Sequence, residues 1–456
     1  MEQEKYDVVV VGSGIGGLTA GALLARWGYR TLVVEKLSRI GGRCSTEEYE
    51  GFKLPTGAVT MNKSAGTAGT LHEAGVDLEV VMVPRLFYRL GGKDYEMPAK
   101  GSVAAMLDIV NKLEVERVKL VGGLAKAVAR EKLREALSRG VREPEKENLT
   151  VRDWLLQYTD NELAHEIFDT LSIFAVGHSY EGPVSSLFAW FIKQGGERDV
   201  GVPPHGNLVE MEKLAKVVKS NGDVWTNCPA RRIVVEAGRA KGVVVQKDGR
   251  EVEIASQVVV SDTGAKKTVE LAGEGNFDEQ YLRILRLRFR QIPISVAFVA
   301  SDRPLWPESG EPVQLMLTGT RRLTSIIPLS NIVPELAPPG QHLLFAIGHP
   351  VCTLVHLNEE EEVRQLSLDL REQLPLFEKY GRILRIDARD RDSEWTAGFP
   401  VGFMMSPKTS VKNLYNVGEG VSPFGQNATT GAVASARQVA ELIKRGVKPG
   451  KAKEVP

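Results

Sequence analysis

The chain has 456 residues with Lys+Arg 58 against Asp+Glu 58, a formal net charge of +0, so no field favours nucleic acid or an acidic membrane. At ~150 residues per domain, that length suggests two or three domains and room for a large core. The start Met1-Glu-Gln-Glu-Lys-Tyr6 has neither a basic nor an apolar targeting region, and no run of about 18 apolar residues occurs, so a soluble cytoplasmic protein is expected.

The first element predicted is a buried parallel strand over Val8–Val11, a run of β-branched residues. Gly12, Gly14 and Gly17 follow in G-x-G-x-x-G spacing, suited to a tight turn, close backbone approach to a pyrophosphate and close helix packing. A helix with a small face of Gly17, Ala20, Gly21 and Leu24 comes next, with Gly28 placed to end it. The second strand, Thr31–Val34, delivers Glu35, a carboxylate able to accept from both hydroxyls of an adenosine ribose. That charge would repel a 2′-phosphate and argues against NADP. The three cysteines, Cys44, Cys228 and Cys352, form no C-x-x-C and read as ordinary thiols unless two of them meet in space.

The chain then runs Ile40-Gly41-Gly42-Arg43 and Gly51 to Ala58, a Gly-Gly pair beside a cationic fork. With strand, glycines, helix, second strand and acid in order, this unit resembles the N-terminus of the FAD-dependent amine oxidase and phytoene desaturase-like superfamily. The resemblance implies FAD, held here by Gly12, Ser13, Gly14, Ile15, Gly16, Gly17, Glu35, Lys36, Gly42, Arg43, Gly57 and Ala58. No metal is implied.

From Met61 to about Val200 the composition suggests charged amphipathic helices, one opened by Thr150 with Asp153 three residues on. The mixed-sign stripe Leu113 to Gly140 reads as a solvated domain face, with peripheral membrane contact as the alternative. The aromatic tract Ser172 to Tyr180 and Leu187 to Phe191 is core or the lining of a substrate tunnel. Pro203-Pro204-His205-Gly206 then leads into a helix over Val209 to Ser220.

Two alternating runs joined by Asp248-Gly249 predict a hairpin, and Gln257 to Ser261 another buried strand. This order is similar to the middle of the same superfamily, whose segment matching Ala230 to Ile233 borders the adenine. Members usually have Gly-Gly where this chain has His205-Gly206, so His205 is either a residue facing the ring or a helix-entry residue. Strands over Gln291–Val299 and His342–Ile347 point to a second substrate-binding segment, and no second G-x-G-x-x-G follows. Without a nicotinamide domain, electrons pass between the substrate and a separate donor or acceptor.

Near the C-terminus, Asn413 to Gly420 reads as a strand ending in Glu419, and Ala428 to Arg437 as a helix with a small-residue face. The superfamily holds the ribityl chain and isoalloxazine with the equivalent parts, here Gly418, Glu419, Asn427 and Ala428. Its acid is commonly Asp, one methylene shorter than Glu419. The fold class implied is α/β, a discontinuous Rossmann-like FAD-binding domain (1–62, 200–264 and 400–446) with an inserted α+β substrate-binding domain (63–199 and 265–399). Residues 447–456 read as a flexible tail.

Function has to come from the site. The implied chemistry is hydride transfer between flavin N5 and a mainly apolar small molecule, by carbon–carbon desaturation or saturation or by amine oxidation. With no recognisable amine-facing aromatic pair and with the turn Pro423-Phe424-Gly425 near its end, the chain resembles the phytoene desaturase-like branch more closely. Non-redox isomerisation or hydration is one alternative. A lipid-binding escort like the Rab GDP-dissociation inhibitors is another, opposed by the intact glycines, Glu35 and Arg43. His178, Tyr180 and His205 are the candidates for an acid or base, each with a structural role as the alternative.

Overall fold

The computed structural model describes residues 5–97, 117–137, 149–194, 200–391, 393 and 398–450. Two seven-stranded sheets dominate it. The first runs, in spatial order, Gly222–Trp225, Thr31–Val34, Lys5–Val11, Arg250–Ser261, Arg239–Lys247 and Ala230–Glu236, with Leu414–Asn416 also paired to Arg250–Ser261. Its centre is parallel. Both faces of that centre are covered, which is why Val8–Val11 carries no polar residue. Val8 and Val10 pack with Leu18 and Val433 on one side, while Val9 and Val11 pack with Val243 and Leu271 on the other.

The helix Ile15–Arg26 lies against the C-terminal helix Ala428–Gly446, whose small buried residues Ala432, Ala436 and Ala440 permit close approach. The Asp248-Gly249 hairpin forms as expected, with φ +50° and +75° at its two central residues. Every strand of this sheet falls within 1–62, 200–264 or 400–446.

The second sheet, ordered Gly381–Arg389, Ile294–Ser301, His342–Gly348, Leu323–Ile327, Val313–Leu317, Arg85–Leu90 and Lys93–Glu96, draws only on 63–199 and 265–399. Its pairings are antiparallel except between Val313–Leu317 and Arg85–Leu90. One face packs Ala297, Val299, Leu344 and Ala346 on Leu366 and Leu370 of the helix Glu359–Gln373. The opposite face, carrying Ile294, Val296, Phe345 and Ile347, turns toward the cavity described below.

Three readings change. The stretch expected to be helical from Met61 to Val200 also supplies the strands Arg85–Leu90 and Lys93–Glu96, because Leu86, Phe87 and Tyr88 find partners across the sheet. Of the Leu113 to Gly140 stripe, residues 117–137 are described and form one helix. Leu120 and Leu124 are buried against Leu187 and Phe191, while Leu133 and Leu137 are exposed. Finally, the tail does not leave the body at residue 447. Tyr29 donates to the carbonyl of Val447 at 2.6 Å, and the Gly450 N–H donates to Asp7 Oδ1 at 2.9 Å, while 451–456 lie outside the described residues. Thr150 caps the helix Val151–Leu155 through the Asp153 N–H, as its spacing suggested.

Candidate active site

A cavity of about 780 Å³ runs from the glycine turn of the first sheet to the inner face of the second. At one end the turn is built from absent side chains. Gly12 has φ +98°, and a Cβ on Gly17 would lie 2.3 Å from the carbonyl oxygen of Gly12. Gly41 continues the cradle, its N–H donating to the Ser13 carbonyl at 2.9 Å, and Ala58 donates to the carbonyl of Arg43 at 2.8 Å.

Glu35 closes the second strand beside this turn. Its Oε2 accepts from the Ser13 N–H at 2.9 Å and the Ser13 hydroxyl at 2.6 Å, and its Oε1 accepts from the Leu37 N–H at 2.9 Å. These bonds aim a buried carboxylate along the cavity wall.

Glu419 does a different job. Its Oε1 accepts from the N–H of Ala428, the first residue of the C-terminal helix, at 2.8 Å and from Phe399 at 3.2 Å. Its Oε2 lies 3.6 Å from Arg43. Burial raises its pKa, against the pull of Arg43 and of the two N–H donors. The long side chain thus pins the helix N-terminus, the segment after Gly398 and Arg43 to one carboxylate. Asn427, just before the helix, accepts from Trp190 Nε1 at 3.0 Å and donates to the carbonyl of Phe174 at 2.8 Å.

The cavity wall includes Gly12, Ser13, Gly14, Ile15, Gly16, Glu35, Lys36, Gly42, Arg43, Gly57, Ala58, Ala230, Gly418, Glu419, Asn427 and Ala428, sixteen of the seventeen residues suggested for the cofactor. Gly17 is outside that wall and sits behind the turn, where only a hydrogen fits. Cys44 also reaches the wall, but burial pushes its thiol up to about 12, so it is inert there.

The far end is apolar. Ile294, Val296, Ile327, Phe345, Ile347 and Phe174 surround it, with Gln314, His349 and Arg389 as polar groups. None of the three acid or base candidates stands on this wall. His205 is exposed in the turn before the helix Asn207–Val218, with φ +63°. His178 has both ring nitrogens committed, Nδ1 to Asp169 at 2.7 Å and Nε2 to the Pro350 carbonyl at 2.6 Å. Since both partners only accept, the ring is an imidazolium. Tyr180 stacks on it and donates to the Val351 carbonyl.

The histidine on the wall is His349, one residue before the carbonyl that His178 holds. It is 4% exposed and meets Phe174 edge-on at 5.1 Å, and its Nδ1 lies 2.9 Å from the Thr324 hydroxyl, which itself donates to the Ile347 carbonyl at 3.1 Å. With Nδ1 engaged by Thr324, Nε2 is the ring nitrogen left to meet a ligand. Burial and the His178 charge push the imidazole down to about 3, so it is neutral. The usable sequence signal was alternation: Phe345, Ile347 and His349 share one face of a strand. The aromatic tract divides, with Ile173 and Phe174 on the cavity and Leu187, Phe188 and Phe191 in the core.

The model of the flavin containing amine oxidoreductase family matches residues 15–444. The chain belongs to that family. It is an α/β flavoenzyme of the FAD-binding amine oxidase fold, and its cofactor is FAD. An inactive all-trans-retinol 13,14-reductase of Danio rerio is 27% identical over 322 residues, 62% of this chain and 52% of that protein. The chain therefore spans about half the length of that relative. The all-trans-retinol 13,14-reductase of Homo sapiens is 52% identical over 54 residues, 12% of this chain and 9% of the other. Among solved structures, an oxidoreductase from Methanosarcina mazei aligns with a TM-score of 0.78 at 24% identity, covering 96% of this chain and 100% of the other.

The flavin family's cofactor fits the residues present. The glycine cradle leaves space that a Cβ would fill, Glu35 faces the cavity from the second strand, and the cavity lies within the size range of enclosed ligand sites, roughly 300–1,000 Å³. Among the described residues, no group of three metal-ligating side chains occurs and no helix is long and apolar enough to cross a membrane.

Proposed function

We propose that this flavoenzyme desaturates or saturates a carbon–carbon bond in an apolar small molecule, with FAD resting between the glycine turn and Glu419. When bound, FAD supplies a hydride acceptor or donor at its N5. The chain contributes position and dryness. Glu35 and the glycine turn would hold the adenosine and pyrophosphate, Ala230 would border the adenine, and Arg43, Glu419, Asn427 and the N-terminus of the Ala428–Gly446 helix would hold the other end. The chamber then holds an alkene or polyene away from water, with His349 as an uncharged hydrogen-bond partner.

The observation that carries this reading is the chamber wall itself. Six apolar residues surround it. Arg389 at its edge is already tied to Asp387 at 3.7 Å and to the Thr56 carbonyl at 3.3 Å, so these apolar side chains offer an ammonium ion little to replace its hydration. The name of the human relative, all-trans-retinol 13,14-reductase, supports the same reading over the 54 residues it shares, toward redox chemistry on a long apolar substrate. A separate electron donor or acceptor completes the cycle.

The test is anaerobic. Purified protein is denatured to identify released flavin, then the oxidised and the dithionite-reduced forms are each mixed with all-trans-retinol, putrescine and a saturated fatty alcohol while the flavin spectrum is followed. Reoxidation of the reduced form by the polyene, or reduction of the oxidised form by an apolar substrate, supports the reading. Reduction by putrescine alone overturns it in favour of amine oxidation.

A further inference from the structure

Asp262 is a half-buried acid in the cradle whose inner oxygen, Oδ2, is fully buried. Asp262 follows the strand Arg250–Ser261, and its N–H donates to the Val11 carbonyl at 2.8 Å, which holds it level with the glycine turn. The side chain points into that turn. A Cβ on Gly14 would lie 2.4 Å from Oδ2, one on Gly16 would lie 2.9 Å from Oδ1, and one on Gly418 would lie 2.7 Å from Oδ1. The glycines therefore make room for a carboxyl as well as for a ligand. Oδ2 is buried at the helix end with the Gly17 and Gly14 N–H groups turned toward the carboxyl but no well-formed hydrogen bond among the described residues, while the residue lines the cavity.

A helix N-terminus favours one anion. Here the carboxyl of Asp262 occupies the end of the Ile15–Arg26 helix, the place the proposed site gives to the FAD pyrophosphate. Two anions sharing that end would repel.

We propose that Asp262 makes FAD binding proton-linked: its carboxyl must be neutral when the pyrophosphate settles on the glycine turn, so binding takes up one proton above neutral pH. The inference rests on the FAD site proposed above. Of the other ionisable groups around it, Arg43 opposes protonation and Glu35 promotes it, while Glu419 is turned to Arg43 and Ala428. Lys36, Lys266, Lys267 and Glu270 stand farther along the same wall. Burial pushes the Asp262 carboxyl up to about 7, against the Gly17 and Gly14 N–H groups and Arg43. A pyrophosphate beside it moves the carboxyl further in the same direction.

The experiment is calorimetric titration of apoprotein with FAD from pH 6 to 9, each pH in two buffers of different ionisation heat. Wild type is expected to take up close to one proton at pH 8, with Kd weakening about tenfold per pH unit above pH 7.5. Asp262→Asn keeps the shape without the titration and is expected to bind with no proton uptake and a flat Kd. Asp262→Ser gives a second neutral variant, and thermal melting of each apoprotein confirms folding. Binding by wild type without proton uptake, or uptake persisting in both folded variants, overturns the inference and leaves the FAD site standing. Failure of wild type to bind FAD at any pH overturns both.

Discussion

The two ends of the cavity are built from different materials. The end proposed for the cofactor is made of backbone: glycines whose missing side chains set the curvature, with Glu35 and Glu419 holding N–H groups in place. The end proposed for the substrate is made of side chains projecting from one face of an antiparallel sheet. Backbone cradles tolerate almost no substitution, whereas a wall of side chains can be redrawn one residue at a time. Mutations at the two ends should therefore fail differently, the first losing cofactor and the second losing or redirecting turnover.

The largest effect is expected at Gly17. In Gly17→Ala the new Cβ meets the Gly12 carbonyl at 2.3 Å, a backbone atom that cannot move without breaking the turn. Purified variant should carry less than about a hundredth of the wild-type flavin, corresponding to roughly 2.7 kcal/mol or more of lost binding. The ratio of flavin to protein absorbance reads this directly. A fully flavinated Gly17→Ala protein would break the contrast between the two ends.

The same contrast explains what the sequence revealed. The turn of Gly12, Gly14 and Gly17, with Glu35 and Arg43 placed beside it, was legible because a backbone constraint leaves few residue types to choose from, and the order of strand, turn, helix and acid is local in the chain. His349 was not. Nothing in its immediate neighbours distinguishes a histidine on a cavity wall from one in a core. Its position depends on Thr324 and Phe174, far away in sequence. His178 and Tyr180 were drawn from the right neighbourhood, since they hold the loop that follows His349, but they stand one layer behind it. The strand Arg85–Leu90 was missed because one of its partners, Val313–Leu317, comes from a distant segment, and the short edge strand Lys93–Glu96 pairs only with it.

Next in size should be His349. His349→Leu removes the neutral hydrogen-bond partner from the apolar chamber. Turnover is expected to fall about ten- to a hundredfold, roughly 1.4–2.7 kcal/mol of barrier, while flavin content is unchanged. His349→Gln, which keeps a hydrogen-bonding group, should recover part of that loss. Equal flavin loss in both would move His349 to the cofactor end of the comparison.

A smaller effect on rate, with a change of specificity, is expected when the wall is enlarged. Phe345 and Ile347 both border the chamber. Ile347 is only partly buried, so Ile347→Ala should cost about 1–2 kcal/mol of stability, less than a full core truncation, and it should shift preference toward bulkier apolar substrates. The readout is kcat/KM across a chain-length series, compared with the thermal melting point. Loss of stability with an unchanged preference would place Ile347 in the packing alone.

The smallest effect is the pH dependence of the loop behind the wall. His178 must be charged to donate to both Asp169 and the Pro350 carbonyl. Although burial works to lower its pKa, Asp169 and that carbonyl outweigh burial and raise it; the same pairing lowers the pKa of Asp169 against its own burial. The sign follows from those directions. The His178 contribution is complete below the ordinary histidine value of about 6.5 and is lost as pH rises through the raised folded value. The Asp169 contribution is complete above about 3.9 and is lost as pH falls through its lowered value. A hydrogen bond to a charged group is worth about 1.5–3 kcal/mol, so only part of the stability is at stake. What it controls is local: when His178 loses its proton, one of its two acceptors is released, and if that is Pro350, His349 moves with it. Turnover should therefore decline on the alkaline side of the His178 titration while flavin remains bound. In Asp169→Asn the imidazolium loses its charged partner, so the decline should begin at lower pH. An alkaline limb that stays at the same pH in Asp169→Asn would detach this loop from the chemistry of the chamber.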